Sequence, residues 1–293
     1  MTATTRPTTE TASPSPAVAV LPVTFGRVLR AEWIKFRTLR STVWTVVITA
    51  VVMIGFALMM ASLMRLAADT PEMAEGMNND PGFQSLGMSG TTVITLGYSF
   101  AQLAVAVLAA LIVTNEYSTG MIRSTFAAVP RRLPALWAKL VVIVLTTVVV
   151  IALALGVAYL VTLPILDAAN LSVDLSDSEQ VRALGGCVLY LATVAAFSLA
   201  VGALMRHSAG AIFTLVAIFF VLPLIFSIVV AASDAAWTDW VNKLLPSVAG
   251  ERIISTGPSS DVLLEPWTGY AVLAGYTVVL LVAAAVTLKR RDA

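Results

Sequence analysis

The sequence predicts an all-α integral membrane protein, with six transmembrane helices and an amphipathic helix ahead of the first. Three observations predict it. Of 293 residues, 58% are hydrophobic and 12% charged, against about one quarter charged in soluble domains, and the mean hydropathy is +0.90. Six runs lack Asp, Glu, Lys and Arg and are long enough to cross about 30 Å of hydrocarbon. The charges between the runs are segregated by position along the chain, as topology requires.

Residues 1–24 are rich in Thr, Pro and Ser, and their only apolar run is too short for a secretory signal. That composition predicts a disordered cytosolic tail, leaving one membrane domain over residues 25–293. Within "FGRVLRAEWIKFRTLRST", at 100° per residue, Phe25, Leu29, Trp33 and Phe36 share a face, and Arg27, Arg30 and Arg37 lie opposite. Residues 27–40 therefore read as a helix lying in the cytosolic interface. A basic flank that only sets topology is the other reading.

The predicted spans cover about 43–64, 91–114, 135–163, 184–205, 209–232 and 267–288, the third built on an uncharged run from residue 140. With a cytosolic N-terminus, all but four of the 18 basic residues fall inside, the exceptions being Arg65, Arg182, Lys243 and Arg252. The bias places both termini in the cytosol. The external segments then hold 13 of the 17 acidic residues, which agrees.

Between the second and third spans lies "NEYSTGMIRSTFAAVPRR", residues 115–132. Asn115 and Glu116 end the apolar run, Gly120 weakens a continuing helix, and Pro130 and Pro134 bracket Arg131 and Arg132. A short helix over 121–129 fits between these breakers. An ordinary cytosolic hairpin fits the same residues. Between the fifth and sixth spans, residues 233–266 are long and mixed, with Pro246 and Gly250 as breakers.

The pairing of "RAEWIKFRTLRST" before the first span with "NEYSTGMIRSTFAAVPRR" after the second resembles the permease subunits of the ABC-2 family of ATP-binding-cassette transporters. "LLPSVAGERI", residues 244–253, is similar to that family's extracellular stretch before its last helix. The resemblance runs from about Phe25 onward and implies a type V exporter-like permease. It implies that residues 27–40 form a membrane-surface connecting helix and that 116–129 contain a coupling helix seated on a separate ATPase. Glu116, Tyr117, Gly120, Met121 and Arg123 would form or support the docking surface, Glu116 and Arg123 through charge-assisted contacts. A local Glu116–Arg123 ion pair is the competing interpretation.

The same resemblance implies an extracellular cap from the loop before the last span, using Trp237, Trp240, Leu245 and Pro246. An exposed loop with aromatic anchors is the alternative. Tyr98, Gln102, Phe213, Phe219 and Phe220 are candidate lining residues for a hydrophobic substrate, although helix packing is the commoner use of such side chains.

Other chemistries have little footing. No G-x-x-x-x-G-K-[ST] loop occurs, so ATP and Mg would sit on a partner subunit and this chain would bind no cofactor itself. The single histidine, His207, has no partners at metal-ligand spacing, and the single cysteine, Cys187, lies in an apolar run. None of the six runs holds an ionisable acid or base, which argues against a proton- or sodium-driven carrier.

The expected protein is thus a non-enzymatic permease of an ATP-driven exporter for a hydrophobic or amphipathic substrate. Its expected partners are a second copy of itself, two ATPase copies and membrane lipids, with no nucleic acid. Composition suggests a high-GC bacterium and its plasma membrane. An ion-coupled carrier and a non-transporting scaffold or immunity protein are the alternatives.

Overall fold

The computed structural model describes residues 23–70, 72, 75, 76, 79, 89–129, 131–233, 235–256 and 263–290. Most of the expected N-terminal tail, together with Arg6, Pro130 and Arg291, lies outside these residues.

The fold begins with α1 (Phe25–Thr38), which an extended Leu39 separates from the first span, α2 (Arg40–Asp69). The second span is broken into α3 (Gly90–Thr95) and α4 (Tyr98–Ser118). After α5 (Met121–Ala128) comes the third span, α6 (Leu133–Ala168), and then the fourth, α7 (Ser178–Met205). The fifth span comprises α8 (Ser208–Val216), a π-turn over Ala217–Val221, and α9 (Leu222–Ala232). Two short helices, α10 (Ala236–Leu244) and α11 (Pro246–Glu251), precede the last span, α12 (Pro266–Arg290).

All six apolar runs become helices long enough to span a bilayer; four run past both predicted limits, and the fourth and fifth spans run past the N-terminal limit only. Charge raises the cost of entering hydrocarbon but does not stop helical hydrogen bonding, so hydropathy underestimates helix length. The connecting helix also differs from its expected 27–40, because the chain opens at Leu39.

Two departures from regular helix have local causes. The second span was expected to be continuous, but at Gly97 it meets the backbone of α2, where a Cβ would stand 2.7 Å from Met53 Cα. The π-turn ends two residues before Pro223, which has no N–H to continue the ladder and crowds the preceding turn.

The fourth span is the core. Of its most apolar stretch 83% is buried, against 11% in the fifth span, so the other helices wrap α7. Small residues permit this: at Gly202 a Cβ would lie 2.9 Å from the Ala110 carbonyl oxygen of α4. Leu145, Val149, Leu153, Phe213, Ile228 and Val279 are exposed, as a surface facing lipid or another subunit requires.

An even number of spans returns the chain to its starting side. Arg132 Nη1 donates to the Leu288 carbonyl at 3.4 Å, tying the start of α6 to the end of α12. Helices α1 and α5 lie at one end of the bundle, the base, and α10 and α11 at the other, the crown.

Candidate functional site

At the base, four charged side chains from three helices meet in the interior. Glu32 and Lys35 come from α1, Glu116 from the last turn of α4, and Lys139 from the second turn of α6. Lys139 Nζ donates to Glu32 Oε2 at 2.5 Å and to Glu116 Oε1 at 2.6 Å. Lys35 Nζ donates to Glu32 Oε1 and Glu116 Oε1, both at 2.9 Å, and reaches Thr125 Oγ1 of α5 at 3.4 Å.

Glu32, Glu116 and Lys139 are 5%, 3% and 4% exposed, whereas Lys35 keeps contact with the surface. Two carboxylates and two ammonium groups balance, which makes burial tolerable. Burial alone would lower the Lys35 pKa; its hydrogen bonds to Glu32 and Glu116 and their negative charge outweigh it and raise the value above that of an ordinary lysine. Such a knot adds little net stability, since desolvation offsets attraction, but it fixes which groups meet.

The turn into α5 explains how Glu116 stays in that knot while the chain reverses. Gly120 adopts φ +72°, a left-handed conformation that suits glycine and ends α4. Thr119 Oγ1 donates to the Asn115 carbonyl at 2.7 Å. In α5, Ile122 is buried and Phe126 half-buried against the bundle, while Met121, Arg123 and Ser124 are exposed. Two cation–π contacts flank the turn, Arg206 over Tyr117 and Arg132 over Phe126, each 5.2 Å from the ring centroid.

These positions divide the five residues proposed for docking. Glu116 is held by Lys35 and Lys139, so the competing local pair with Arg123 does not form, and its carboxylate is buried. Tyr117 is half-buried beneath Arg206, and Gly120 shapes the turn. Met121 and Arg123 remain on the outward face.

In α1, the stripe facing the bundle is Val28–Glu32–Phe36, spaced four residues apart. Of the apolar face drawn from the sequence, Phe36 packs into the bundle, Leu29 is half-buried, and Phe25 and Trp33 are half-exposed. Arg30 and Arg37 are exposed. A cavity of about 250 Å³ adjoins the ionic knot, walled by Phe36, Leu39, Leu108 and Ile112.

A family model described as "ABC-2 family transporter protein" matches residues 69–286, which is most of the chain. The chain belongs to the ABC-2 transporter family. No curated protein gives a significant match. Membership makes this a permease, a multi-pass membrane component of transport, and implies partnership with an ATPase subunit. The matched residues include Glu116, α5 and Lys139, while α1 precedes them.

The crown of this ABC-2 permease holds a second polar assembly. Arg182 of α7 donates to the carbonyls of Ile253 and Ser255, both at 3.0 Å, and so holds the turn after α11. Tyr98 Oη donates to Glu251 Oε2 at 2.9 Å, and Tyr190 Oη donates to Gln102 Oε1 at 2.6 Å. Burial pushes the Glu251 carboxyl up to about 7, against the lowering effects of the Tyr98 hydroxyl and the nearby Arg252.

The residues proposed as pathway lining scatter. Gln102 is buried on Tyr190, and Phe219 packs edge-to-face on Phe197 at 5.3 Å. Tyr98 faces the crown, Phe220 is half-buried and Phe213 points outward. Of the cap residues, Trp237 and Trp240 are exposed, with Lys243 Nζ 3.2 Å from the Trp240 ring centroid. Leu245 is buried and Pro246 opens α11.

Replacing Tyr190 by phenylalanine should strand the buried Gln102 carbonyl and cost about 1–3 kcal/mol. Thermal unfolding of the purified permease checks this. An unchanged midpoint would mean that the bond contributes nothing to the folded state.

Proposed function

We propose that this permease is the membrane half of an ATP-driven exporter for a hydrophobic or amphipathic substrate. Two copies of the chain pair with two copies of an ATPase that binds ATP and Mg. The base, with its basic flanks and both chain ends, faces the cytosol of a bacterial cell. The crown faces outward, and α1 lies along the inner surface with Phe25 and Trp33 toward lipid.

The observation that supports this reading is the way α5 is mounted. Its outer face, with Met121, Arg123 and Ser124, is exposed, while its root is tied to α1 and α6 through Glu116, Lys35 and Lys139. A soluble motor pressing on that face would move three helices together, because the joint cannot shear without exposing unpaired charges to an apolar interior. ATP binding draws the motors together, α5 transmits the displacement, and the spans open outward.

The test is co-purification of the tagged permease from its native host in mild detergent, beside Arg123→Glu. Wild type is expected to bring down a phosphate-loop ATPase, and the variant to lose it by tenfold or more, since a reversed charge meets the same partner surface. Capture undiminished by the variant would move the contact off this face. Absence of any such ATPase across several detergents would overturn the exporter reading.

A further inference from the structure

At the crown, a cavity of about 220 Å³ lies between α3, α4 and the turn after α11. Its walls carry acceptors. Glu251 is half-buried beside it; one carboxylate oxygen is held by Tyr98, and the other accepts no hydrogen bond among the described residues. Thr92 and Thr256 share their hydroxyls at 3.1 Å, and Ser89 bonds both at 3.0 Å.

Two guanidinium groups stand near Glu251, and one of them, Arg252, is part of the cavity wall. Arg252 Nε donates to the Leu264 carbonyl at 3.0 Å and its Nη1 to the Ser255 hydroxyl at 3.3 Å, while Arg182 is spent on the Ile253 and Ser255 carbonyls. Among the described residues no three His, Cys, Asp or Glu side chains gather to hold a metal ion. The volume falls below the roughly 300–1,000 Å³ of sites for drug-sized molecules. It suits a charged head with a few carbons.

We propose that this cavity binds the ammonium group of a small organic amine, with Glu251 as counter-ion and the Tyr98, Thr92 and Thr256 oxygens as further acceptors. An ammonium has three donors and no acceptor, the complement of these acceptors. Identifying such an amine with the exported molecule rests on the function proposed above; the binding itself does not.

The site is switched by protons. The groups facing Glu251 are Tyr98 on α4, Tyr190 on α7, and its neighbour Arg252, which Arg182 in turn influences; Cys187 on α7 acts on the two tyrosines. Burial raises the carboxyl to about 7. It is therefore ionised and binding-competent in mild alkali, and neutral in mild acid.

The experiment uses the purified full chain without any ATPase and follows its melting temperature on titration with propylammonium chloride. Potassium chloride and 1-propanol serve as controls. A saturable rise is expected at pH 8.5, with apparent affinity about 30-fold weaker at pH 5.5, following the ionised fraction of a group titrating near 7. Glu251→Gln should abolish the effect at both pH values. Should that variant fold poorly, Tyr98→Phe keeps the carboxylate and is expected to move the pH midpoint upward, because it removes a donor that favours the ionised form.

An equal response to 1-propanol or potassium chloride, pH-independent binding, retention in Glu251→Gln, or no saturable response from wild type at the highest soluble concentration would each overturn the proposal. Any of these alongside intact ATPase capture would leave the exporter reading standing. The two ideas therefore fail separately.

Discussion

Lys139→Met is expected to destabilise the permease by about 3–5 kcal/mol, because it leaves the carboxylates of Glu32 and Glu116 facing each other in a buried site. Lys35 touches both but is drawn toward the surface, so it cannot replace a cation lodged between them. The melting temperature and the yield of monodisperse protein in detergent would register the loss. Lys139→Arg, which keeps the charge, should retain much of the stability.

A triple variant separates charge from shape. Combining Lys139→Met with Glu32→Gln and Glu116→Gln removes the unbalanced charge, and Lys35 can extend into water on its aliphatic stem. Its stability should recover most of the deficit, since the net worth of a balanced buried knot is small. If the triple variant is as unstable as Lys139→Met, packing of the lysine chain, not charge, is what holds α1 to the bundle.

Gly202→Leu carries the second large effect. A Cβ at this position would meet the Ala110 carbonyl oxygen at 2.9 Å and its Cα at 3.0 Å, so the obstruction is backbone that no rotamer change relieves. The second and fourth spans must separate, at a cost of at least the roughly 1–3 kcal/mol typical of overpacked cores. Gly275→Leu is the control, because a Cβ there meets nothing within 4 Å. Equal melting temperatures for the two variants would contradict the close approach of α4 and α7.

The number of spans was legible because hydropathy reports on single segments, and each run from 43–64 to 267–288 needs no partner to be recognised. A helix over 121–129 was one of the two readings that Gly120 and the prolines allowed, beside a plain hairpin, and the structure has one over Met121–Ala128. The ionic knot was not legible. Glu32 is 107 residues from Lys139, and Lys35 is 81 from Glu116.

One signal was present in the sequence. Glu32 sits four residues from both Val28 and Phe36, an acid in the middle of an apolar stripe. Reading Lys139 only as a topological charge hid its partner, because the positive-inside rule counts basic residues without asking which are buried. Glu251 was missed for the opposite reason: it lies outside every apolar run, and only the packing of α11 against the spans draws it inward.

The ionic knot also has a bearing on where the protein rides in the bilayer. Along α6, Lys139 and Asp167 are 28 residues apart, about 42 Å of helix, which matches the roughly 40–45 Å between the outer limits of the two headgroup layers. A lysine free to snorkel would let α6 slide by several ångströms as membrane thickness changes. Locked to Glu32 and Glu116, it fixes the immersion depth of the longest helix at one polar boundary. A thinner or thicker membrane must then be met by tilt or by deformation of the lipid, so the host membrane's thickness becomes a load on the same joint that holds α5.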